Sequence, residues 1–550
     1  MAKTFSIDLS DDRLISIAAD MVDSHNYISA LKMLNKNAGL HGSDEDALML
    51  YAEIFDDMGL YEKSVNGWFR YLDTADAGEL ADCYEGLAIG FMNLGNEHFS
   101  AFYYNKLLME TDEIDGAERE EIIKDFLSAQ ENPLKFVYPP ALADCSEFIS
   151  SGIEHMKAGE YDLAVEDFDK VAEGNPKYSS ARNYVAMCKI IADKTEEAEQ
   201  ECLNLLKFRP DDVQALTTLA AVKTEEGKTE EARELAKRLL SLGVKEPDEV
   251  YKIATVCCEN KMHEDAYSLF CGLGDGFEYD LNVLYFKAVS AFNAGMIEES
   301  FEAFDRLVTI YPDAVTAKYY YNLARKVEKS GDMTELSYFY RLPAEVRESS
   351  LKVLAAYMRL SSASARKFAR EVDLSLCVQW CFDEHEGKGG ELQLLACQVA
   401  VKAEMDETVR GLLLDAFLDD RIKLDMLTSL AERNAFDCFG VVICNVYRRV
   451  TMRPLTVDRA KKKYFVRAYA RLLAHFAILD DGFGEEFAAA AEEIYVKLAG
   501  EGRLDCVKNV EILTAAVYLV SKVRAAEISG DGIYEFFEVT KEQVNSLIGD

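Results

Sequence analysis

Residues spaced 34 apart in this chain stay small or apolar over five successive positions, and no other feature constrains the fold as tightly. One column reads Gly152, Ala186, Ala220, Ala254, Ala288, and a second reads Ala164, Ala198, Ala232, Ala266, Ser300. Larger residues fill two more: Phe168, Cys202, Ala236, Phe270, Phe304 and Val171, Leu205, Leu239, Leu273, Leu307. Gly159, Gly227 and Gly295 share a column, as do Pro176, Pro210 and Pro312. Glycine supplies the left-handed turn that ends a helix, and proline stops the next one. Each unit therefore reads as two antiparallel helices that approach closely at their small residues. Such a hairpin cannot bury its own apolar stripe, so successive units must stack.

The pattern resembles the tetratricopeptide repeat (TPR) family. The resemblance implies an all-α fold: a right-handed superhelical solenoid of antiparallel helical hairpins. Upstream, Ala18 and Ala52 are again 34 apart, as are Ala30 and Ser64, and "DDMGLYEKSVNGWFRYL" at 56–72 repeats the glycine–tyrosine turn with Trp68 in the large-residue column. A third copy at 85–108 fits after a two-residue insertion that places Ala88, Gly95 and Ser100. The expected organisation is three N-terminal repeats over 11–112, a connection over 113–144, five 34-residue units plus a degenerate sixth over 145–344, and a helical domain over 345–550. The connection contains "ENPLKFVYPP", whose prolines favour extended backbone. It reads as a hinge, a strap packed on the solenoid, or a fixed irregular crossing. Beyond Pro343 the period disappears while helical spacing continues, and "DETVRGLLLDAFLDDRIKLDMLTSLAERN" is loosely similar to HEAT-type helical repeats. The domain should hold about nine or ten helices, with a solenoid-like arrangement as one of the expectations.

Charge excludes some functions. With 60 Lys and Arg against 98 Asp and Glu the net charge is −38, a field that repels phosphate backbones and argues against general nucleic-acid or anionic-membrane binding. Thirteen scattered cysteines give no disulfide framework, and no 18-residue uncharged apolar run or secretory leader is present, so a cytoplasmic location is expected. The exception to the acidic field is 447–471. There Arg448, Arg449, Arg453, Arg459, Lys461, Lys462, Lys463, Arg467 and Arg471 stand against Asp458 alone. This basic patch, interleaved with Tyr464 and Phe465, could hold RNA or an acidic partner. It could equally lie against the chain's own carboxylates, for example those of the acidic N-terminal region.

In the resembled family, function lies on the face formed by the first helices. The column expected there is Asn183, Thr217, Tyr251, Tyr285, Tyr319, which suggests an aromatic-lined groove for an extended or helical peptide. The same rings could instead pack between repeats. The cationic residues that clamp a chaperone's C-terminal carboxylate in one TPR subclass are missing: the parallel column reads Ile153, Met187, Ala221, Thr255, Val289, Leu323. Cys377, Cys381 and His385 follow one helix face at i, i+4, i+8, a weak metal candidate without a fourth ligand. His155 and His263 occupy columns where the family commonly has tyrosine and read as packing residues. No catalytic constellation or cofactor motif emerges, so neither an enzyme nor a cofactor is expected. The resulting expectation is a protein–protein interaction scaffold or adaptor. The alternative is a regulator contacting nucleic acid or a ribonucleoprotein through 447–471.

Overall fold

The computed structural model of the protein describes residues 10–42, 45–76, 78–110, 146–171, 175, 177–274, 276–331, 334–383, 390–433, 438–457, 461–476, 483–521 and 530–548. The connection at 113–144, Pro176, His385, Asp458 and Arg459 lie outside these residues. The chain divides into two compact units. One comprises Met1–Ala129, Pro343–Phe382 and Lys388–Asp550; the other comprises Gln130–Leu342 with Asp383–Gly387.

The second unit is the 34-residue array. Its hairpins pair Ser146–Ala158 with Tyr161–Phe168, Tyr178–Ile191 with Thr195–Phe208, Val213–Glu225 with Thr229–Ser241, Pro247–Glu259 with His263–Gly272, and Leu281–Asn293 with Ile297–Ile310. A final first helix, Val315–Ser330, is followed by a non-helical segment at 334–342 in place of a second helix. The small columns do what their size allows. Ala186, Ala220, Ala254 and Ala288 and their partners Ala164, Ala198, Ala232 and Ala266 are completely or almost completely buried. The buried Ser300 hydroxyl satisfies itself on the Ala288 carbonyl of the facing helix, at 2.8 Å. At Gly152 even a methyl group is too large, because a Cβ there would lie 2.5 Å from the Phe168 ring.

The turns obey the same period. A left-handed residue stands at Gly159, Asp193, Gly227, Lys261 and Gly295, each 34 after the last. In the Gly227 turn, the Gly227 N–H bonds Thr224 O and the Lys228 N–H bonds Lys223 O, the double closure that ends a helix through one left-handed residue. Asp193 and Lys261 adopt this conformation despite carrying a Cβ, at a cost of about 1 kcal/mol.

The first unit begins with three hairpins: Asp11–Asp23 with Tyr27–His41, Glu45–Asp57 with Tyr61–Thr74, and Leu80–Asn93 with Glu97–Glu110. Their left-handed turn residues are His25, Gly59 and Gly95, so the two-residue insertion falls before the third turn. Trp68 of the second hairpin lies flat against Gly86 of the third, where a Cβ would come within 2.1 Å of the indole. Between Pro343 and the C-terminus, eleven α-helices are present among the described residues, from Ala344–Arg359 to Lys541–Ile548, including Ser375–Asp383 with the buried Trp380.

One element departs from the helical expectation for this region: an antiparallel hairpin of β1 (Cys438–Ile443) and β2 (Val446–Thr451), in register from Ile443↔Val446 to Cys438↔Thr451. Cys444 and Asn445 both take positive φ, +52° and +58°, which gives the tight two-residue connection that twisted strands favour. The hairpin is tied to the N-terminal repeats. Leu414 and Val442 enter the core formed by Trp68, Phe69, Tyr84, Phe91 and Tyr103. Tyr103 donates to Asn445 O at 2.7 Å, Tyr447 donates to Asp73 at 2.9 Å, and the Asn66 side chain donates to Asp415 and accepts the Ala416 N–H, both at 2.9 Å. The fully buried Lys423 ammonium holds the other side, donating to Val442 O at 2.6 Å and Asp420 at 3.1 Å.

Two substitutions test this account. Gly152→Ala forces the Phe168 ring aside and is expected to destabilise by about 1–3 kcal/mol, as overpacking of a filled core does. Asp193→Gly, at an exposed turn, should instead stabilise by about 1 kcal/mol by relieving the left-handed Cβ. Opposite shifts of the helical melting transition in circular dichroism are the expected result.

Candidate functional site

The first helices of the array set out the expected column, and the structure divides it into two environments. Tyr285 is completely buried among Phe304, Tyr320 and the chain's own segment 334–342. The Tyr285 hydroxyl donates to Ser337 O at 2.7 Å. From the end of the same helix, Asn293 pairs with the Leu336 peptide unit in both directions: Nδ2 donates to Leu336 O at 3.0 Å, and Oδ1 accepts Leu336 N–H at 2.8 Å. Tyr320 of the next first helix donates to Arg341 O at 2.9 Å. Three side chains thus take hold of main-chain atoms in a stretch that has no secondary-structure partner of its own.

Alternate side chains of this strap turn inward. Leu336 is buried, while Phe339 is 81% exposed. The Tyr338 ring stacks on His263 at 5.8 Å between centroids, with its hydroxyl 2.7 Å from His263 Nδ1, and also lies against Phe286. Burial lowers the His263 pKa and raises that of the Tyr338 hydroxyl, so both are neutral at physiological pH. Tyr340 meets Tyr285 edge-on at 4.9 Å. Glu335 reaches the Lys261 ammonium at 2.7 Å, and the strap tightens into a three-residue turn where the Arg341 N–H bonds Phe339 O.

The other column members are arranged differently. Tyr251 is half-buried, edge-on to Phe270 and Phe286 within the apolar core; Tyr319 is half-buried, edge-on to Tyr320. Thr217 and Asn183 are buried: Thr217 bonds Gln214 O of its own helix at 2.9 Å, and Asn183 Nδ2 points to Asp212 at 3.4 Å. Beside Asn183 a cleft of about 790 Å³ opens, lined by Asn183, Met187, Arg209, Asp212, Gln214 and Lys252 among others. The structure therefore brings Tyr285 and Tyr320 to the same strap as Asn293 and His263, two residues that the sequence reading did not place in the groove.

The basic segment is a strand, a connection and a helix (Lys462–Phe476), and much of its charge is used inside the first unit. Arg453 pairs with Glu492 at 2.8 Å and Glu485 at 2.7 Å, Arg471 with Glu511 at 2.5 Å. Arg449 reaches Asp73 O at 3.4 Å and Lys461 donates to Val507 O at 2.9 Å. Arg448 and Arg467 also have partners, while Lys462 is half-buried and Lys463 exposed. Cys381 and Cys377 are one helical turn apart, Sγ of the former donating to the carbonyl of the latter at 3.3 Å. Among the described residues no group of three or more His, Cys, Asp or Glu is placed to hold a metal ion, and no helix is long and apolar enough to cross a membrane.

No family model and no curated protein matches the chain. Several solved structures do. A tetratricopeptide repeat protein from Parabacteroides merdae ATCC 43184 is 17% identical over 52% of this chain and 99% of its own, with a TM-score of 0.24. The TPR2AB domain of yeast Sti1, solved in complex with pHSP90, is 17% identical over 48% of this chain and 98% of its own, TM-score 0.19. Yeast Tom70 is 13% identical over 89% of this chain and 99% of its own, TM-score 0.27. The array has the tetratricopeptide fold by its own period, buried small columns and left-handed turns.

The Arg453 site carries a pH prediction. Hydrogen bonds from Arg453, helped by the Thr456 N–H, hold the Glu492 carboxyl down at about 2, against an ordinary 4.5. A depressed carboxyl contributes stability that is complete above its ordinary value and is lost as pH falls towards its folded value. Thermal unfolding from pH 7 to pH 3 should decline less steeply for Glu492→Gln than for the wild type; equal slopes would show that the pair contributes nothing.

Proposed function

We propose that this chain is a non-enzymatic, cytoplasmic interaction scaffold that binds a peptide or protein segment in the groove of its tetratricopeptide array. One observation carries the reading: the groove already grips a polypeptide main chain through Asn293, Tyr285 and Tyr320. These side chains bond peptide units rather than any particular side chain, which is how a surface recognises a non-helical segment. The cleft upstream, with Met187, Gln214 and Lys252 in its lining, offers an adjoining stretch that is uncovered among the described residues. The free cysteines among the described residues, most of them buried, suit a reducing compartment. The competing nucleic-acid reading through 447–471 has less to support it, because Arg449, Arg453, Lys461 and Arg471 are engaged within the chain.

Affinity capture with the whole chain as bait, followed by mass spectrometry, tests the proposal when paired with Met187→Arg/Lys252→Glu. The double variant should lose at least one protein that the wild type retains, with its circular dichroism unchanged. Retention of every captured protein by a folded variant would count against the groove.

A further inference from the structure

The way the groove holds segment 334–342 also defines what else would fit it. The hydrogen bonds address the peptide units of Leu336, Ser337 and Arg341, so the side chains at 337, 339 and 341 are not read through them. The inward positions are selective. Leu336 is buried, Tyr338 stacks on His263 and lies against Phe286, and Tyr340 stands edge-on to Tyr285. Glu335 against Lys261 fixes which end enters where; as an exposed pair it contributes direction more than affinity. A surface that only needed covering would not require a side-chain amide bonding a peptide unit in both directions. Nor would it leave Phe339 projecting outward at 81% exposure between two half-buried tyrosines.

We infer that Glu335–Arg341 is an exchangeable occupant, and that the partner which replaces it is a non-helical segment with an acid, then leucine, then aromatic residues two and four positions after the leucine. The inference rests on reading the groove as a peptide site. Its test uses a segment of known sequence and so does not depend on which protein the scaffold captures. A tethered segment competes as though present at about millimolar concentration, so a free segment making the same contacts binds the intact chain weakly. It should bind about ten- to a hundredfold more tightly once the tethered copy is disabled.

The probe is a fluorescein-labelled peptide of the chain's own sequence from Thr334 to Pro343, followed by anisotropy with full-length protein. Tyr338→Ala/Tyr340→Ala should bind it at least tenfold more tightly than wild type, and adding Asn293→Ala should abolish the gain. Equal binding by wild type and a folded double variant would overturn the exchange. Should the double variant lose its helical spectrum, the wild type decides: saturating peptide should accelerate hydrogen exchange at the Leu336 amide, and unchanged protection would refute the inference. Failure here with success in the capture experiment would leave the upstream cleft as the binding surface. The reverse outcome would keep a peptide groove and remove the upstream cleft from it.

Discussion

Everything in the array depends on how closely the two helices of a hairpin approach. Ala186, Ala220, Ala254 and Ala288 meet a facing column of equally small residues with no accessible surface to spare, and at Gly152 even the methyl group is omitted. Close packing at density near that of a crystal leaves no room for a larger residue, so the small positions must recur at a fixed interval if one hairpin is to seat on the next. The left-handed turn residues repeat with the same interval because they set the angle at which the second helix returns. Once both are fixed, residues of the first helices fall into rows. The groove is thus a by-product of packing, and its chemistry is free to vary from one hairpin to the next.

That freedom has been used unevenly. Around Tyr285 the row is aromatic and carries hydrogen-bonding tips that reach peptide units, and the chain's own strap occupies it. Around Asn183 and Thr217 the polar groups are turned into their own helices or the adjoining turn, and a cleft of mixed charge remains beside them. The first unit spends its aromatic residues differently. Phe69, Tyr84, Phe91 and Tyr103 form a core with Val442, and polar contacts from Asn66 and Tyr103 lock residues more than 300 positions apart in the chain.

The hairpins were legible because their determinants are local and periodic: the small columns, the turn glycines and even the two-residue insertion before Gly95 lie where the spacing put them. The strap was not legible. It follows the last periodic helix, has no period of its own, and meets Tyr285 and Asn293 more than 40 residues upstream, a pairing that only tertiary packing creates. The β hairpin escaped for a related reason. Its turn uses Cys444 and Asn445 where glycine would have announced it, although the alternation in "VYRRVT" after an apolar run was a usable signal. Charge composition marked 447–471 correctly as exceptional, but spacing alone cannot show that Glu485, Glu492 and Glu511 sit across from it.

The seat of Trp68 on Gly86 and the burial of Trp380 have a practical consequence. These are the only two tryptophans in 550 residues, and both belong to the unit that contains the N-terminal hairpins and the C-terminal helices. The array with its strap contains tyrosine but no tryptophan. Emission excited beyond the tyrosine absorption edge therefore comes from one unit alone, and far-ultraviolet ellipticity from both. The two halves of this molecule carry separable optical signals without any label being introduced.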